Sequence, residues 1–194
     1  ANLISRVLTR IEAMACEVLS TAKLTIAENN VAKVVDYGLP VTHRMAVNGW
    51  SNPATNILAD LVDIQTRAKN KIVRAVMTSK IMGYLQKNAG LNYLAATLGV
   101  IASVKFVKEY ILQQLGIEII VYDGSYRLSA LDDTEYYFLN EDVVTFLTTD
   151  EVLGRTFLTY TPEEDAGIID RLEGFVAVTQ YSTPDPVATW TKAS

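Results

Sequence analysis

The sequence predicts a mixed α+β fold, and three features of the 194-residue chain lead to that prediction. The N-terminus has the apolar spacing of one long amphipathic helix. Apolar runs typical of strands follow that helix and recur in the middle and at the end of the chain. Further segments with helical spacing lie between these runs. With 49% hydrophobic and 20% charged residues, the chain can bury a substantial core.

The first predicted element is a helix from Leu3 to Leu19. It contains no Gly or Pro, and at about 1.5 Å per residue it would be roughly 27 Å long. Polar residues such as Arg6, Arg10 and Glu12 fall mostly on the opposite side from one apolar stripe. The stripe consists of Ile4, Val7, Leu8, Ile11, Met14, Ala15, Val18 and Leu19.

A β-hairpin is predicted next, because the apolar period changes to two after the helix. Leu24 and Ile26 mark the first strand, and the run from Val31 to Val35 marks the second. Asn29-Asn30 lies between them, and Asn tolerates the positive φ of a tight hairpin turn. The hairpin is predicted to end at Asp36-Tyr37-Gly38.

The longest irregular stretch then runs from Leu39 to Asn52. It holds His43, the only histidine, which has no cysteine nearby and no evident acidic partner. A lone histidine of this kind is more typical of a loop side chain than of a metal ligand or a catalytic base. Trp50 is expected to pack the loop onto the body of the protein.

Helices and one buried strand are predicted for the middle of the chain. Ser51-Asn52-Pro53 has the pattern of a helix start, and that helix would run to Arg67. Ile72–Met77 is predicted to be a buried strand, followed by a helix that Thr78-Ser79 caps. Gly90 and Gly99 interrupt the next region. The last helix of this part carries the stripe Val104, Val107, Ile111 and Leu115, and Gly116 ends it.

Mostly strands are predicted for the remainder. Ile117 to Tyr122 is almost continuously apolar and is therefore expected to be a central strand. Asp123-Gly124 is a strong hairpin signal. Thr161-Pro162-Glu163-Glu164 has the pattern of a capping box that opens a short helix through Leu172. The other predicted strands are Tyr126–Leu128, Tyr136–Leu139, Val143–Leu147, Phe175–Tyr181 and Val187–Lys192, the last two joined by a rigid turn at Thr183-Pro184-Asp185-Pro186.

Composition argues against several classes of function. The net charge is −5, and the nearest approach to a basic patch is one helix end with Arg67, Lys69, Lys71 and Arg74, which suits the negative end of a helix dipole better than nucleic acid. No run of about 18 apolar residues predicts a membrane span, and the charged N-terminal helix does not resemble a signal peptide. Cys16 is the only cysteine, so no internal disulfide forms; we expect a partly buried small hydrophobe.

No motif for catalysis, cofactor binding or metal binding is present. The sequence lacks a phosphate loop, a dinucleotide-binding glycine pattern, zinc-ligand spacing and a nucleophile elbow. Carboxylates are the only plausible catalytic groups, and each has a simpler explanation as part of a polar turn, a helix cap or a solvated helix face. These carboxylates are Asp60, Asp63, Asp132, Asp133, Glu135, Glu163, Glu164 and Asp165. We therefore predict a protein that is not an enzyme, with no catalytic, cofactor-binding or metal-binding residues.

The order of elements resembles the major capsid protein E family of tailed phages, the lambda-type branch of the Hong Kong 97 capsid fold. The resemblance is spread over nearly the whole chain and has no single diagnostic motif. It is carried by Ile4 to Leu19 with Glu12, Ala13, Met14 and Val18; Lys23-Leu24-Thr25-Ile26; Val35-Asp36-Tyr37-Gly38; Trp50, Asn52-Pro53, Leu58 and Asp60; Ile119-Ile120-Val121-Tyr122-Asp123; Tyr137-Phe138-Leu139-Asn140; Val143-Val144; Gly174-Phe175-Val176; and Asp185-Pro186 through Trp190.

The resemblance implies a division into domains. Residues 1–51 would form a peripheral domain with the first helix as its long spine helix and the hairpin in its sheet. Residues 52–161 would form an axial α/β domain near the symmetry axes of hexamers and pentamers. Residues 162–194 would return to the peripheral domain, bringing the first helix and the last strands together.

The resemblance also implies a function: a structural subunit of a phage or prophage icosahedral capsid that assembles with itself around double-stranded DNA. Scaffold, decoration and portal proteins would be further partners, with the DNA only in non-specific proximity and no membrane involved. The protein would occur in the virion, and in the bacterial host cytoplasm during assembly. A mildly acidic subunit suits a shell through which DNA must slide.

Two alternatives remain open from the sequence. A bacterial nanocompartment shell protein would share the fold and would show a cargo-docking groove on the inner face. A carboxylate-dependent hydrolase would show two acids facing each other in a pocket, at least one with a raised pKa.

The chain also lacks the N-terminal arm and extended loop that precede the spine helix in the family, and the segment after Ser194. We therefore expect a piece of a longer product, which stays monomeric or forms small oligomers when expressed alone.

Overall fold

The computed structural model describes residues 3–28, 31–46, 49–69, 71–127, 133–148, 171–173, 176–184 and 187–193. These residues form a mixed α+β fold, which confirms the predicted class. The helices are α1 Leu3–Thr21, α2 Ile57–Arg67, α3 Ser79–Lys87, α4 Ala89–Thr97 and α5 Val104–Leu115, with a single 3-10 turn at Val41–His43. The strands are β1 Lys23–Glu28, β2 Val31–Asp36, β3 Ile72–Met77, β4 Glu118–Val121, β5 Ser125–Tyr126, β6 Tyr136–Tyr137, β7 Thr145–Thr148, β8 Arg171–Glu173, β9 Val176–Pro184 and β10 Val187–Ala193.

Helix α1 and the hairpin after it lie where the sequence predicts them. Strands β1 and β2 pair antiparallel from Lys23↔Asp36 to Glu28↔Val31, and the Asn29-Asn30 turn lies outside the described residues. Ala22 turns the chain from helix to strand with a left-handed backbone, φ 56°. On the helix, Ile4 and Cys16 are buried, whereas Leu8 and Ile11 of the apolar stripe are 48% and 42% exposed. The described residues therefore leave part of the stripe, around Leu8 and Ile11, exposed.

The hydrophobic core is built around a three-stranded sheet with the order β4-β3-β7. Strand β3 pairs parallel with β4 and antiparallel with β7, and helices α3, α4 and α5 connect β3 to β4. Trp50 packs against this core, as predicted. The buried members of the core are Ile57, Leu61, Ile72, Ala75, Met77, Ile81, Met82, Leu85, Leu91, Val107, Ile111, Ile117 and Ile119.

The prediction that Ile117 to Tyr122 forms a central strand is wrong. Strand β4 lies at an edge of its described sheet, and Ile120 is 37% exposed, whereas β3 has a neighbour on each side. The apolar run reads as central because Ile117 and Ile119 are buried in the core. Periodicity alone does not show whether the second face is covered as well.

Helix α2 begins later than the predicted start at Ser51-Asn52-Pro53. Its N-cap is Asn56, whose side chain accepts a hydrogen bond from the Ala59 N–H at 3.1 Å. The earlier residues form turns instead, with the Asn52 side chain accepting from the Ala54 N–H at 3.0 Å. The Pro53 carbonyl is engaged elsewhere in the fold, since it accepts a hydrogen bond from the Ala89 N–H at 2.8 Å.

The region between Gly90 and Gly99, for which no helix is predicted, is largely helical. Asn88 caps α4 by accepting from the Leu91 N–H at 3.2 Å, and Leu91 is fully buried. Gly99 follows the end of the helix with φ +69°, a conformation that glycine adopts without strain. The two glycines thus lie at the ends of a helix. The predicted stop of α5 at Gly116, φ 68°, is confirmed.

Asp123-Gly124 does not form the predicted hairpin. Strand β5 pairs with β6 rather than with β4, and the Gly124 carbonyl accepts from the Phe138 N–H at 3.0 Å. The Asp123 carboxylate instead caps α3, accepting from the Ser79 N–H at 2.7 Å and from the Ser79 hydroxyl. Helix α3 thus begins at the predicted place, but Thr78 supplies no side-chain cap. An acidic turn residue of one segment serves as the cap of another.

The last strands form a second three-stranded sheet with the order β10-β9-β8. Helix α1 contacts both β9 and β10, so the two ends of the chain meet. The predicted strands near 175–181 and 187–192 are present as β9 and β10. The prediction that a helix extends through Leu172 is wrong, because Leu172 belongs to strand β8. The predicted capping box at 161–164 lies outside the described residues.

We expect Gln65→Leu to destabilise the protein by about 2–3 kcal/mol, because it removes the hydrogen-bond partners of buried main-chain groups. The Gln65 side-chain nitrogen donates to the carbonyls of Ile72 (2.9 Å) and Leu115 (3.0 Å), and its oxygen accepts from the Ile72 N–H (3.1 Å). Urea denaturation would measure the loss. Gln113→Leu, at an exposed position of α5, is the control and should change stability by no more than about 0.5 kcal/mol.

We expect Asp123→Ala to lower the stability by about 1 kcal/mol near pH 7, the usual effect of losing a helix cap. The hydrogen bonds from Ser79 lower the pKa of Asp123 in the folded protein. Its ionised form therefore contributes fully above the unfolded-state pKa of about 3.9, and the contribution falls as the pH drops through the lower folded value. The difference between wild type and variant in urea denaturation should narrow below about pH 4. A difference that grows in acid would contradict the capping role.

Candidate functional site

The candidate catalytic carboxylates do not converge. The Asp60 carboxylate accepts from the Trp50 indole N–H at 2.8 Å, and Asp63 pairs with Arg67 at 2.9 Å along α2. Glu135 accepts from the Ser125 hydroxyl at 2.6 Å, and Asp133 lies 3.7 Å from Arg127. Asp132, Glu163, Glu164 and Asp165 lie outside the described residues. Over the described part of the chain, no three His, Cys, Asp or Glu residues are grouped as a metal site requires.

The only histidine and the only cysteine of the sequence lie in different environments. His43 is exposed and lines a cleft of about 360 Å³ together with Trp50, Tyr84 and Asp142. Cys16 is buried on α1, and burial, followed by the nearby Glu12 carboxylate, raises the pKa of its thiol. A raised pKa keeps the thiol protonated, and a protonated thiol is a poor nucleophile. The pair offers no thiol–imidazole chemistry.

The basic cluster at the end of α2 is partly neutralised. Arg67 pairs with Asp63, and Arg74 pairs with Glu118 of the neighbouring strand at 3.2 Å. A surface that binds the phosphates of nucleic acid needs cationic side chains that are not already paired with carboxylates. Among the helices that the structure describes, none combines the length and the apolar character needed to span a bilayer.

Helix α1 makes polar contacts with the part of the molecule that the described residues of 57–148 form, which we call the core lobe. The Tyr122 hydroxyl donates to the Glu12 carboxylate, and the Thr145 hydroxyl donates to the Leu19 carbonyl at 2.8 Å. The Asn140 N–H lies 3.4 Å from the Ser20 hydroxyl oxygen. The hydrogen bond to Glu12, helped by burial and charge, raises the pKa of Tyr122 to about 12. The sequence carries no local signal for these pairs, since each joins residues more than 100 positions apart.

The large apolar side chains with the highest exposed fractions in the core lobe lie around the turn between α4 and α5. Ile101 is 86% exposed, Tyr93 74% and Leu98 65%. We call this surface the apex and define it by Tyr93, Leu98, Val100, Ile101 and Val104. Exposed apolar groups concentrated in this way are typical of a protein contact surface rather than of a catalytic site.

The apex is held in a defined conformation. The Val100 N–H donates to the Ala95 carbonyl at 2.9 Å behind the Gly99 turn. The Ser103 hydroxyl accepts from the Phe106 N–H at 3.2 Å and caps α5. No charged residue occurs between Lys87 and Lys105 in the sequence. That charge-free run, taken together with its apolar residues, is the signal that could have identified the apex in advance.

Comparisons with known proteins agree with a contact-forming role. The family model described as phage major capsid protein E matches residues 1–194. The fold is similar to the crystal structure of a prophage protein from E. coli CFT073 that is assigned as a capsid protein, with a TM-score of 0.60 and 16% identity. That match covers 98% of this chain and 59% of the other, so this chain spans less than two thirds of its structural relative. No curated protein matches this chain.

We expect Ile101→Ser to leave the stability of the single chain within about 0.5 kcal/mol of wild type, because the exposed side chain buries little surface. Ile111→Ser, at a fully buried position of the neighbouring helix, is the matched comparison and should cost at least about 3 kcal/mol. Thermal and urea denaturation would measure both. A large loss of stability from Ile101→Ser would show that the apex packs against this chain and is not free for a partner.

Proposed function

Because the chain belongs to the phage major capsid protein E family, we propose that it forms the main body of a structural subunit of a phage or prophage capsid. The whole-chain family match is the observation that carries this proposal. The subunit assembles with copies of itself into a closed shell around double-stranded DNA. Its function is then a matter of geometry and contacts, which agrees with described carboxylates that pair locally instead of facing one another.

The proposed arrangement within the subunit follows the Hong Kong 97 type. Helix α1 is the spine helix of a peripheral domain that residues 1–51 and 162–194 build together. The contacts of α1 with β1, β9 and β10 support this grouping. Residues 52–161 form the axial domain, supported by a buried core whose members all lie between Ile57 and Ile119.

The apex suits a position near the rotation axes of the shell. Around such an axis the same surface of every copy faces its counterparts, so a charged surface would repel itself. A charge-free, apolar apex avoids this repulsion and gains from burial. The net charge of −5 also allows packaged DNA to move past the subunits without tight binding. Scaffold, decoration and portal proteins are further partners, and the virion is the place of action.

The family is one of structural capsid proteins and not of enzymes, which disfavours the hydrolase alternative. It also names phage capsids and not nanocompartments, although the two shells would share a fold. We propose that the chain catalyses no reaction. Alanine replacement of Asp132, Asp133, Glu163 or Glu164 is then expected to abolish no hydrolytic activity.

The full-length product is expected to form closed shells that electron microscopy detects after expression in bacteria. Ile101→Glu in that product should leave the subunit folded by circular dichroism but prevent closure, because it places like charges together at the proposed axis. Val62→Glu introduces the same charge at a half-exposed apolar position on α2 and serves as the control.

The outcomes separate the parts of the proposal. Shells from Ile101→Glu as abundant as those from wild type would remove the apex from the axes while leaving the capsid function intact. Failure of the wild-type full-length product to assemble under any condition, with or without scaffold protein, would contradict the capsid function itself.

A further inference from the structure

The two outer edges of the β1–β2 hairpin differ in how their main-chain groups are satisfied. Along β1, side chains of α1 cover the edge. The Lys23 N–H donates to the Thr21 hydroxyl oxygen at 3.1 Å, and the Thr25 N–H donates to a Glu17 carboxylate oxygen at 3.0 Å. Helix α1 therefore occupies the hydrogen-bonding edge of β1 at Lys23 and Thr25.

The register shows which groups of β2 point away from β1. The Tyr37 N–H donates to the Ala22 carbonyl at 3.1 Å, so that this pair is a hydrogen-bonded one. Hydrogen-bonded and non-hydrogen-bonded pairs alternate along antiparallel strands. The next pair, Lys23↔Asp36, is therefore non-hydrogen-bonded, as are the pairs that contain Val34 and Ala32. The main-chain N–H and C=O groups of Ala32, Val34 and Asp36 consequently face outward.

Nothing among the described residues covers this outer edge. The hairpin forms a two-stranded sheet by itself, and β2 has no further strand beside it. Ala32, Lys33 and Val34 are all exposed, and Val34 is 58% exposed. The pairing is continuous over six residues without a bulge, and β2 contains no proline. Natural proteins usually protect edge strands with bulges, prolines or charged side chains, and of these β2 has only the charged side chains of Lys33 and Asp36.

A two-stranded hairpin is only marginally stable in water unless further strands or a helix support it. Helix α1 supports the β1 side, whereas no strand or helix among the described residues supports the β2 side. Strand addition at an open edge gains its affinity mainly from main-chain hydrogen bonds. The edge is thus suited to an extended strand rather than to a small molecule.

We propose that the β2 edge pairs with the β2 edge of a second copy of this chain, antiparallel about a two-fold axis centred on Val34. In that register Val34 faces its own counterpart, and Ala32 faces Asp36 of the second copy. Both pairs consist of residues whose main-chain groups point outward, so each forms a hydrogen-bonded pair. The geometry needs no other segment, because a two-fold contact uses the same surface on both copies.

Charge favours this occupant and this register. Lys33 then lies opposite Val35 of the second copy, so no like charges stand directly across the new pair. A register centred on Lys33 would oppose two lysines, which destabilises cross-strand pairs. Tyr37, 53% exposed at the end of β2, extends the apolar contact at each end of the four-stranded sheet. This contact is separate from the apex and does not depend on the capsid function.

Hydrogen exchange by NMR on the 194-residue chain tests the pairing residue by residue. As protein concentration rises and dimers form, the amides of Ala32, Val34 and Asp36 should become protected. Those of Lys33 and Val35 already donate within the hairpin and should change little. Unchanged protection at Val34 while the protein dimerises would overturn the proposal, as would the absence of any self-association up to millimolar concentration.

A pair of variants separates main-chain pairing from side-chain packing. Val34→Pro removes an outward N–H that the hairpin itself does not use, and its ring blocks the partner's carbonyl. We expect it to raise the dimer dissociation constant, measured by analytical ultracentrifugation, by at least about 30-fold, since both copies lose a donor. Val34→Thr keeps the N–H and the branched shape and should change the constant by less than about threefold.

The folded state of both variants is checked by circular dichroism and by the retained protection of Lys33 and Val35. Equal weakening by Val34→Pro and Val34→Thr would assign the contact to side chains and overturn strand pairing. An unchanged dimer of the Val34→Pro chain would do the same. If the proline variant unfolds the hairpin, a synthetic peptide of residues 31–37 should inhibit dimerisation, and its Val34 N-methylated form should not. Inhibition by neither peptide or by both alike would overturn the proposal.

Discussion

Strand β3 sets the constraint on which the core lobe depends. Because β3 and β4 are parallel, the chain has to cross from one end of the sheet to the other between them, and α3, α4 and α5 form that crossover. The helices bury the core face of the sheet, where Ala75, Met77 and Ile119 are almost inaccessible. Since the crossover contains three helices, one of its turns can extend beyond the core. The apex, at the turn between α4 and α5, is thus a consequence of the long crossover that the parallel pairing requires.

Helix α1 is bound to the rest of the molecule in a different manner. Its contacts with the core lobe are directed hydrogen bonds through Glu12, Ser20 and the Leu19 carbonyl, and the Glu17 carboxylate and Thr21 hydroxyl tie it to β1. Directed bonds fix orientation while burying little apolar area, so part of the stripe stays exposed at Leu8 and Ile11. Polar groups therefore help to orient the helix, while Leu8 and Ile11 of its apolar stripe remain exposed.

Elements whose signals are local were predictable from the sequence. The 3.6-residue stripe of α1, the change of period at β1 and β2, the buried run of β3 and the Gly116 stop of α5 all act within a few residues. In two places where the prediction failed, a distant partner decided the outcome. Asp123 caps a helix 44 residues away, and the Pro53 carbonyl serves the start of α4. Periodicity did not predict the exposure of the apex, because it finds apolar faces without showing which ones are covered; only the charge-free run between Lys87 and Lys105 is a sequence signal for it. The resemblance did identify the family, since the order of many weak features is itself informative.

The apex and the β2 edge would differ in what limits their strength. A contact between apolar side chains scales with the area buried, tolerates changes of register and weakens on cooling. Pairing of strand edges depends on alignment, since a shift by one residue removes every hydrogen bond and reverses the faces of the strand. Subunits that use both kinds would associate through modest apolar contacts that permit adjustment, and through edge contacts that accept one register only. Because neither contact needs to be strong alone, errors in placement can be reversed before several contacts act together and make the assembly lasting.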